Sequence, residues 1–290
     1  MPDVSGLGTL PRIGLPEVLA GAAATTRVDR KYLVGAAGVQ VFLGRLPDSL
    51  RLLSIDGRLT TTYRSTYFDT ADLHTCRAHV QGRRRRWKAR SRLYVEDGLC
   101  RLELKVRDGS GMTRKFFHPT SADEYGEMTP EAAEFFREGL LVHRLGRVEP
   151  LEPAVEVAYE RATLADPETG TRVTIDFGVR GTRRDQAVEV DAGRLIVETK
   201  GGRTPGAADR LLGQLGARPI SFSKYTASAS LMDPRIPDND VRHMVGRQLR
   251  VSRVAHPPAP DLSVPAWAPT VESAPTGGGH LPHENLRRTA

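Results

Sequence analysis

The stretch Arg83-Arg84-Arg85-Arg86-Trp87-Lys88-Ala89-Arg90-Ser91-Arg92-Leu93-Tyr94 alternates basic and apolar character. In extended backbone, successive side chains point to opposite faces. Arg84, Arg86, Lys88, Arg90 and Arg92 therefore share one side, while past Trp87 the other side reads Ala89, Leu93 and Val95. A basic row backed by an apolar row suits a strand with helices under one face and a polyanion over the other. A solvated edge strand, charged to discourage aggregation, has the same pattern. The neighbouring segments have to decide.

Asp97-Gly98 follows, a hairpin dipeptide between two alternating runs. The returning strand, Leu99 to Arg107, sets Arg101, Glu103, Lys105 and Arg107 against Leu102, Leu104 and Val106. Asp108-Gly109-Ser110-Gly111 turns the chain into a third strand, Met112 to His118, with Arg114 and Lys115. Upstream, Thr25 to Val34 places Arg27, Asp29 and Lys31 on one face, and Thr60 to Phe68 is a further β-prone run. Downstream, Val155 to Ala162 and Thr171 to Phe177 make a hairpin, and the second strand presents Arg172, Thr174 and Asp176 opposite Val173, Ile175 and Phe177. Val188 to Asp191 and Arg194 to Lys200 are the last strands, with Ile196, Glu198 and Lys200 on one face.

Helices are expected at Pro16 to Ala20, Val39 to Leu46, Ala71 to His79, Ala132 to Leu141, Gly206 to Gly216 and Ser223 to Met232. Thr129-Pro130 supplies a cap followed by proline at the first helical position. Nine of the twenty prolines fall in the last 57 residues. That tail reads as mostly disordered, with one short helix at Val241 to Val251. The expected organisation is a lead-in over residues 1–14, a folded domain over 15–233 and a Pro-rich tail over 234–290.

About seven or eight strands joined mainly by hairpins can close into a barrel with alternate residues inside. The inward set would hold Lys31, Lys88, Arg90, Arg92, Lys105, Lys115, Arg161, Arg172 and Lys200, with Asp29, Glu103, Asp176 and Glu198 as carboxylates. Like charges cannot be buried in such number without compensation. A wet, anion-filled tunnel resolves the conflict: guanidinium groups suit phosphate oxygens, and interleaved carboxylates suit a hard divalent cation. Glu103 beside Lys105 and Glu198 beside Lys200 also read as cross-strand ion pairs.

The net charge of +7 favours anionic partners without choosing among them. Two cysteines, Cys76 and Cys100, make neither a disulfide framework nor a metal site, so a reducing cytoplasm is the expected location. No run approaches the roughly 20 apolar residues of a membrane span, which leaves membrane contact to a partner. No Gly-x-x-x-x-Gly-Lys-Ser/Thr loop, His-Glu-x-x-His or Gly-x-Ser-x-Gly element is present. Only Trp87 and Tyr94 interleave aromatics with the arginine run, so no specific nucleic-acid partner is expected.

Eight short motifs in order complete the picture: Asp29-Arg30-Lys31-Tyr32-Leu33-Val34, Tyr67-Phe68-Asp69-Thr70, Arg90-Ser91-Arg92-Leu93-Tyr94, Glu103-Leu104-Lys105, Tyr159-Glu160-Arg161, Arg172-Val173-Thr174-Ile175-Asp176, Glu198-Thr199-Lys200 and Ser223-Lys224-Tyr225. Together they resemble the VTC-type polyphosphate polymerase domain, a branch of the triphosphate tunnel metalloenzymes related to the CYTH proteins. The resemblance implies an α+β fold: an eight-stranded antiparallel β-barrel tunnel with helices packed around it. It implies that Lys31, Arg90, Arg92, Lys105, Lys115, Arg161, Arg172 and Lys224 hold phosphates, that Tyr159 lines the tunnel, and that Glu198 carries Mn²⁺ or Mg²⁺. Lys88 and Lys200 join the phosphate binders from the alternation itself, and Glu103 and Asp176 are further candidate carboxylates for the metal. Arg90, Arg92, Lys105 and Glu198 are the expected catalytic set. CYTH relatives open with two glutamates where this chain has Arg27 and Asp29, and eukaryotic polymerases tend to carry a lysine where it has Ser221.

The expected activity is metal-dependent phosphoryl transfer, above all polyphosphate synthesis from ATP, by a stand-alone cytosolic form. ATP or another nucleoside triphosphate and inorganic polyphosphate or pyrophosphate are the expected partners. Hydrolysis of tripolyphosphate or nucleoside triphosphates, and a non-catalytic polyanion-binding module, are the alternatives.

Overall fold

Alternation of apolar and charged residues is converted into one large sheet with two unlike faces. The structure is a computed structural model that describes residues 5–20, 28–145 and 150–254. Expectations for Arg27 and for the tail beyond Val254 lie outside the described residues.

The chain begins with β1 (Arg12–Ile13), α1 (Leu15–Ala20), β2 (Val28–Gly35), α2 (Ala36–Leu43), β3 (Arg51–Leu53), β4 (Thr61–Asp69) and α3 (His74–Val80). The central meander is β5 (Arg86–Tyr94), β6 (Leu99–Arg107) and β7 (Thr113–Thr120), followed by α4 (Pro130–Val142). Then come β8 (Glu152–Ala165), β9 (Arg172–Arg183), β10 (Gln186–Val190), β11 (Arg194–Gly201), α5 (Ala207–Gln214), α6 (Lys224–Met232), α7 (Asn239–Arg242) and β12 (Leu249–Arg253).

Eight strands make one continuous antiparallel run, β7-β6-β5-β4-β8-β9-β11-β2. β10 and β12 extend from the far half of β9, and β3, paired in parallel with β1, extends from the end of β8. The fold is thus mixed α and β, as expected, but the sheet is not closed by hydrogen bonds. Among the described strands nothing ladders β2 to β7. The Ile220 amide donates to the Lys31 carbonyl at 2.8 Å, so the segment leading into α6 occupies the edge of β2 where a closing strand would pair.

Two glycines shape this wall. Gly178 has φ of 60°, a left-handed conformation that glycine adopts without Cβ strain, and the β8–β9 register slips beside it, between Ala158 and Glu160. The slip is a β-bulge, which bends the strand locally. At Gly181 a Cβ would lie 2.0 Å from the Ser228 Oγ, so bare backbone lets α6 lie directly against β9.

Three apolar layers hold the sheet. Trp87, Ala89, Leu102, Leu104 and Val106 pack under Ala132, Phe136 and Leu140 of α4 on one outer flank. Tyr32, Ala162, Val173, Ile175, Leu195 and Val197 pack under α2 and α5 on the other. The third layer lies on the opposite, inner face, where Tyr225, Ala229 and Met232 of α6 meet Tyr67, Val155, Val157, Val179 and Ile196. Fully burying a side chain the size of Leu or Phe contributes roughly 1.5–3 kcal/mol, so these layers determine which face of each strand is left for charge.

Several boundaries shift. β5 begins at Arg86, and Arg84 lies before the strand and outside the basic row. Val95 starts a short 3-10 turn and is half-exposed, while Ser91 takes the buried outer position and accepts from the Gly126 amide at 3.1 Å. The helix expected over Val241 to Val251 is only α7, because Gly246 adopts φ of 79° and the chain then extends as β12 against β10. With Ile236, Val241, Met244 and Leu249 buried, the packed body runs past the expected boundary at residue 233. No helix among the described residues is long and apolar enough to cross a membrane.

Candidate active site

Ladder registers place the inward residues side by side. Across β5, β6 and β7, Lys88 faces Lys105, which faces Lys115. One step along, Tyr67 faces Arg90, which faces Glu103. The next step aligns Ser65, Arg92 and Arg101, and the one after aligns Tyr159, Tyr63 and Tyr94. On the other wall Arg161 faces Asp176, Glu198 faces Lys31, and Lys200 lies between Arg172 and Asp29.

Most of these charges neutralise one another. Glu103 accepts from the Arg90 Nε at 2.8 Å and has the Arg92 Nη1 at 3.8 Å. Burial alone would raise its carboxyl, but the two guanidinium groups outweigh that and hold it at about 2. Asp176 is fully buried and accepts from Arg161, with Nη2 to Oδ2 at 2.8 Å, and from Lys224. The same balance of burial against two cations sets its carboxyl at about 2. Glu198 Oε1 lies 3.0 Å from the Lys200 Nζ and 3.7 Å from the Lys31 Nζ. Burial again opposes ionisation, and Lys200, Lys31 and Arg161 drive the carboxyl well below the usual range.

The lysine row is different. Among the described residues none of Lys88, Lys105 and Lys115 forms an ion pair with a carboxylate; Lys88 Nζ donates to the Ser223 Oγ at 2.8 Å. Lys105 and Lys115 are crowded by protein atoms yet keep access to solvent, as groups lining a wet trough do. Desolvation and the neighbouring Lys105 and Lys31 lower the Lys88 ammonium to about 7. Desolvation with Lys105 and Lys200 lowers Lys115 to about 8, and Lys105 is lowered by desolvation and Lys31 in spite of Asp29. Asp29 and Glu198 offset part of the charge on Lys105, but no described carboxylate is in ion-pair contact with the three adjacent ammonium groups, which form a place where an anion would supply the missing charge.

Tyrosines support this face. Tyr63 and Tyr159 stack 2° from parallel with centroids 5.2 Å apart, and the Arg161 guanidinium lies over both rings. Tyr67 accepts from the Arg90 Nη1 at 2.8 Å and stacks on Tyr225. The β-prone reading of Thr60 to Phe68 contained the period-two spacing of Tyr63, Ser65 and Tyr67, but did not assign them to the site. Asp69 and Tyr225 were also visible only as parts of motifs. Asp69 is fully buried and accepts from the backbone amides of Thr70 and Thr75 at 2.8 Å, from Cys76 at 2.9 Å, and from the Tyr225 hydroxyl. It thereby ties β4, α3 and α6 together.

Of the expected site residues, Lys31, Lys88, Arg90, Arg92, Glu103, Lys105, Lys115, Tyr159, Arg161, Asp176, Glu198, Lys200 and Lys224 meet on this face. Arg172 sits at its margin, where Nη2 donates to the Val18 carbonyl of α1 at 3.0 Å. Arg83 to Arg85 lie outside the ladder, in the turn before β5. For a metal, Glu103 and Asp176 are each engaged by two cations, and no three acidic, histidine or cysteine side chains among the described residues converge. Glu198 is likewise engaged by two cations, Lys200 and Lys31, the second at the longer distance of 3.7 Å.

The VTC domain family model matches residues 26–232, from the start of β2 to the end of α6. The chain belongs to the VTC domain family. No curated protein matches this VTC domain in sequence. Among solved structures, it is similar to HpAC1 from Hippeastrum, described by a dominant triphosphatase activity, at 17% identity and a TM-score of 0.46 over 72% of this chain and 99% of that one. It is also similar to the PH1012 protein of Pyrococcus horikoshii OT3, at 12% identity and a TM-score of 0.34 over 66% of this chain and 90% of that one.

Proposed function

We propose that this VTC domain uses its inner face as a phosphate tunnel and transfers the γ-phosphoryl group of ATP to a growing polyphosphate chain. The observation that carries the reading is the Lys88–Lys105–Lys115 row, three cations side by side with no described carboxylate in ion-pair contact. Around it, Arg90, Arg92, Arg161 and Lys224 are held in place by Glu103 and Asp176, so the donors are positioned before a ligand arrives.

Phosphoryl transfer asks little covalent chemistry of a protein; alignment and charge compensation supply most of the acceleration. The lysine row would take the most highly charged part of the substrate. Arg90 and Arg92 would donate to equatorial oxygens in forked geometry. A single carboxylate, Glu198, together with phosphate oxygens fits the way Mg²⁺ or Mn²⁺ is usually held beside a nucleotide. Such an ion would neutralise charge on the transferring group. Lys31 and Lys200, which pair with Glu198, would turn to phosphate oxygens when the carboxylate holds the metal.

The test is to incubate the purified full chain with ATP and Mn²⁺ or Mg²⁺ and size the phosphate products. Long polymers support synthesis. Orthophosphate alone makes the protein a triphosphatase, and no turnover with either metal leaves a polyanion-binding module.

A further inference from the structure

Beyond the lysine row, the inner face ends in chemistry of another kind. Tyr94, Leu99, Arg101 and Phe117 all project from inward positions at the turn end of the β5–β6–β7 meander. The Arg101 guanidinium lies 5.8 Å from the Tyr94 ring centroid and 5.2 Å from that of Phe117. Unlike Arg90, Arg92 and Arg161, Arg101 forms no ion pair with a described carboxylate. Phe117 is 42% exposed and Leu99 38%, although both stand on the face that otherwise carries charge. Behind them Tyr94 rests on Tyr63 at 4.9 Å, so the cluster has a rigid back.

Exposed aromatic and aliphatic carbon around an unpaired guanidinium does nothing for phosphate. It does suit a flat heteroaromatic ring, which stacks on Phe or Tyr and on the plane of an arginine. Lys105 lies four positions from Arg101 on β6, about 13 Å along the strand. That span lets a triphosphate reach the lysines while its base remains at the aromatic end.

We infer that Tyr94, Leu99, Arg101 and Phe117 form a base-stacking platform that receives the nucleobase of a nucleoside triphosphate. The inference rests on the phosphate reading of the inner face and adds a direction to it: base at the Arg101 end, terminal phosphate toward Lys88. Stacking is tolerant of base identity, so purine and pyrimidine triphosphates should both bind, with purines favoured by their larger stacking area.

Calorimetric titration of the full chain with ATP and with inorganic triphosphate separates the two layers. The platform requires ATP to bind more tightly than triphosphate, and Phe117→Ser to reduce that preference about fivefold or more, the low end of base-stacking effects. Arg101→Gln should reduce it as well. If triphosphate binds but ATP shows no preference, or Phe117→Ser leaves the preference unchanged, the platform is overturned and the phosphate reading stands. If wild-type protein binds neither ligand, the phosphate reading and the platform both fall.

Discussion

Tyr225 lies flat on Tyr67, with ring centroids 4.6 Å apart and planes 8° from parallel. The first ring belongs to α6 and donates its hydroxyl to Asp69; the second belongs to β4 and accepts from Arg90. A helix plugging the inner face is thus wired directly to the Arg90 guanidinium. Asp69→Ala would orphan three backbone amides and the Tyr225 hydroxyl. At about 1–3 kcal/mol for each unsatisfied buried group, the loss should reach about 3 kcal/mol or more in urea unfolding. A loss below about 1 kcal/mol would mean that water replaces the carboxylate.

The lysine row predicts a pH dependence of binding. Lys88 at about 7 and Lys115 at about 8 are charged at pH 6 and increasingly neutral above pH 8. A phosphate ligand favours the charged forms, so triphosphate affinity should fall steadily from pH 6.5 to 9 and binding should take up protons at the higher pH. An affinity that stays flat across this range would remove the row from the binding site.

The same shift acts on the fold with the opposite sign. In the unfolded chain Lys88 titrates near its ordinary 10.5, and in the fold near 7. Between these values the unfolded state binds the extra proton, so stability rises with pH. Ligand-free protein should therefore gain from this group as pH increases from 6 to 9, while the stabilisation added by triphosphate shrinks. Lys88→Met should flatten the first trend, as measured by thermal unfolding at each pH.

Arg90 donates to both Glu103 and Tyr67. Arg90→Ala should weaken triphosphate binding by about 1.5–3 kcal/mol, the scale of hydrogen bonds to charged groups. Unchanged affinity in titration calorimetry would make Arg90 a purely structural partner of Glu103.

Glu198→Gln separates metal holding from phosphate holding. Metal-dependent turnover should be lost, whereas metal-free triphosphate binding should persist or tighten, because a negative charge leaves the face and Lys31 and Lys200 are freed. Turnover that survives the substitution would exclude Glu198 as the metal ligand.

Much of this arrangement was legible in the residues because strand alternation is a local property. Leu102, Leu104 and Val106 against Glu103 and Lys105 can be assigned to faces without knowing the partner strand. What alternation does not contain is how charges pair across the fold. Glu103 sits two residues from Lys105 yet bonds Arg90 and Arg92, since the ladder places those guanidiniums opposite. That the sheet stays unclosed was illegible for a similar reason: Ile220, an apolar residue in a loop, reaches the Lys31 carbonyl and occupies the edge of β2. The strand β12 escaped because the Pro-rich composition beyond Pro234 read as a disordered tail with a helix at Val241 to Val251, whereas Gly246 turns the chain back toward β10.

Because no ladder joins β2 to β7 among the described strands, strand pairing does not fix the girth of the inner face. In a fully laddered barrel, strand number and stagger fix the radius. Here Lys105 and Lys115 on one lip repel Lys31 and Lys200 on the other, while Asp29 draws them together. Ionic balance therefore bears on the width of the passage, and under the proposed function a polyanion lying within it would act as the clasp that draws the two lips together.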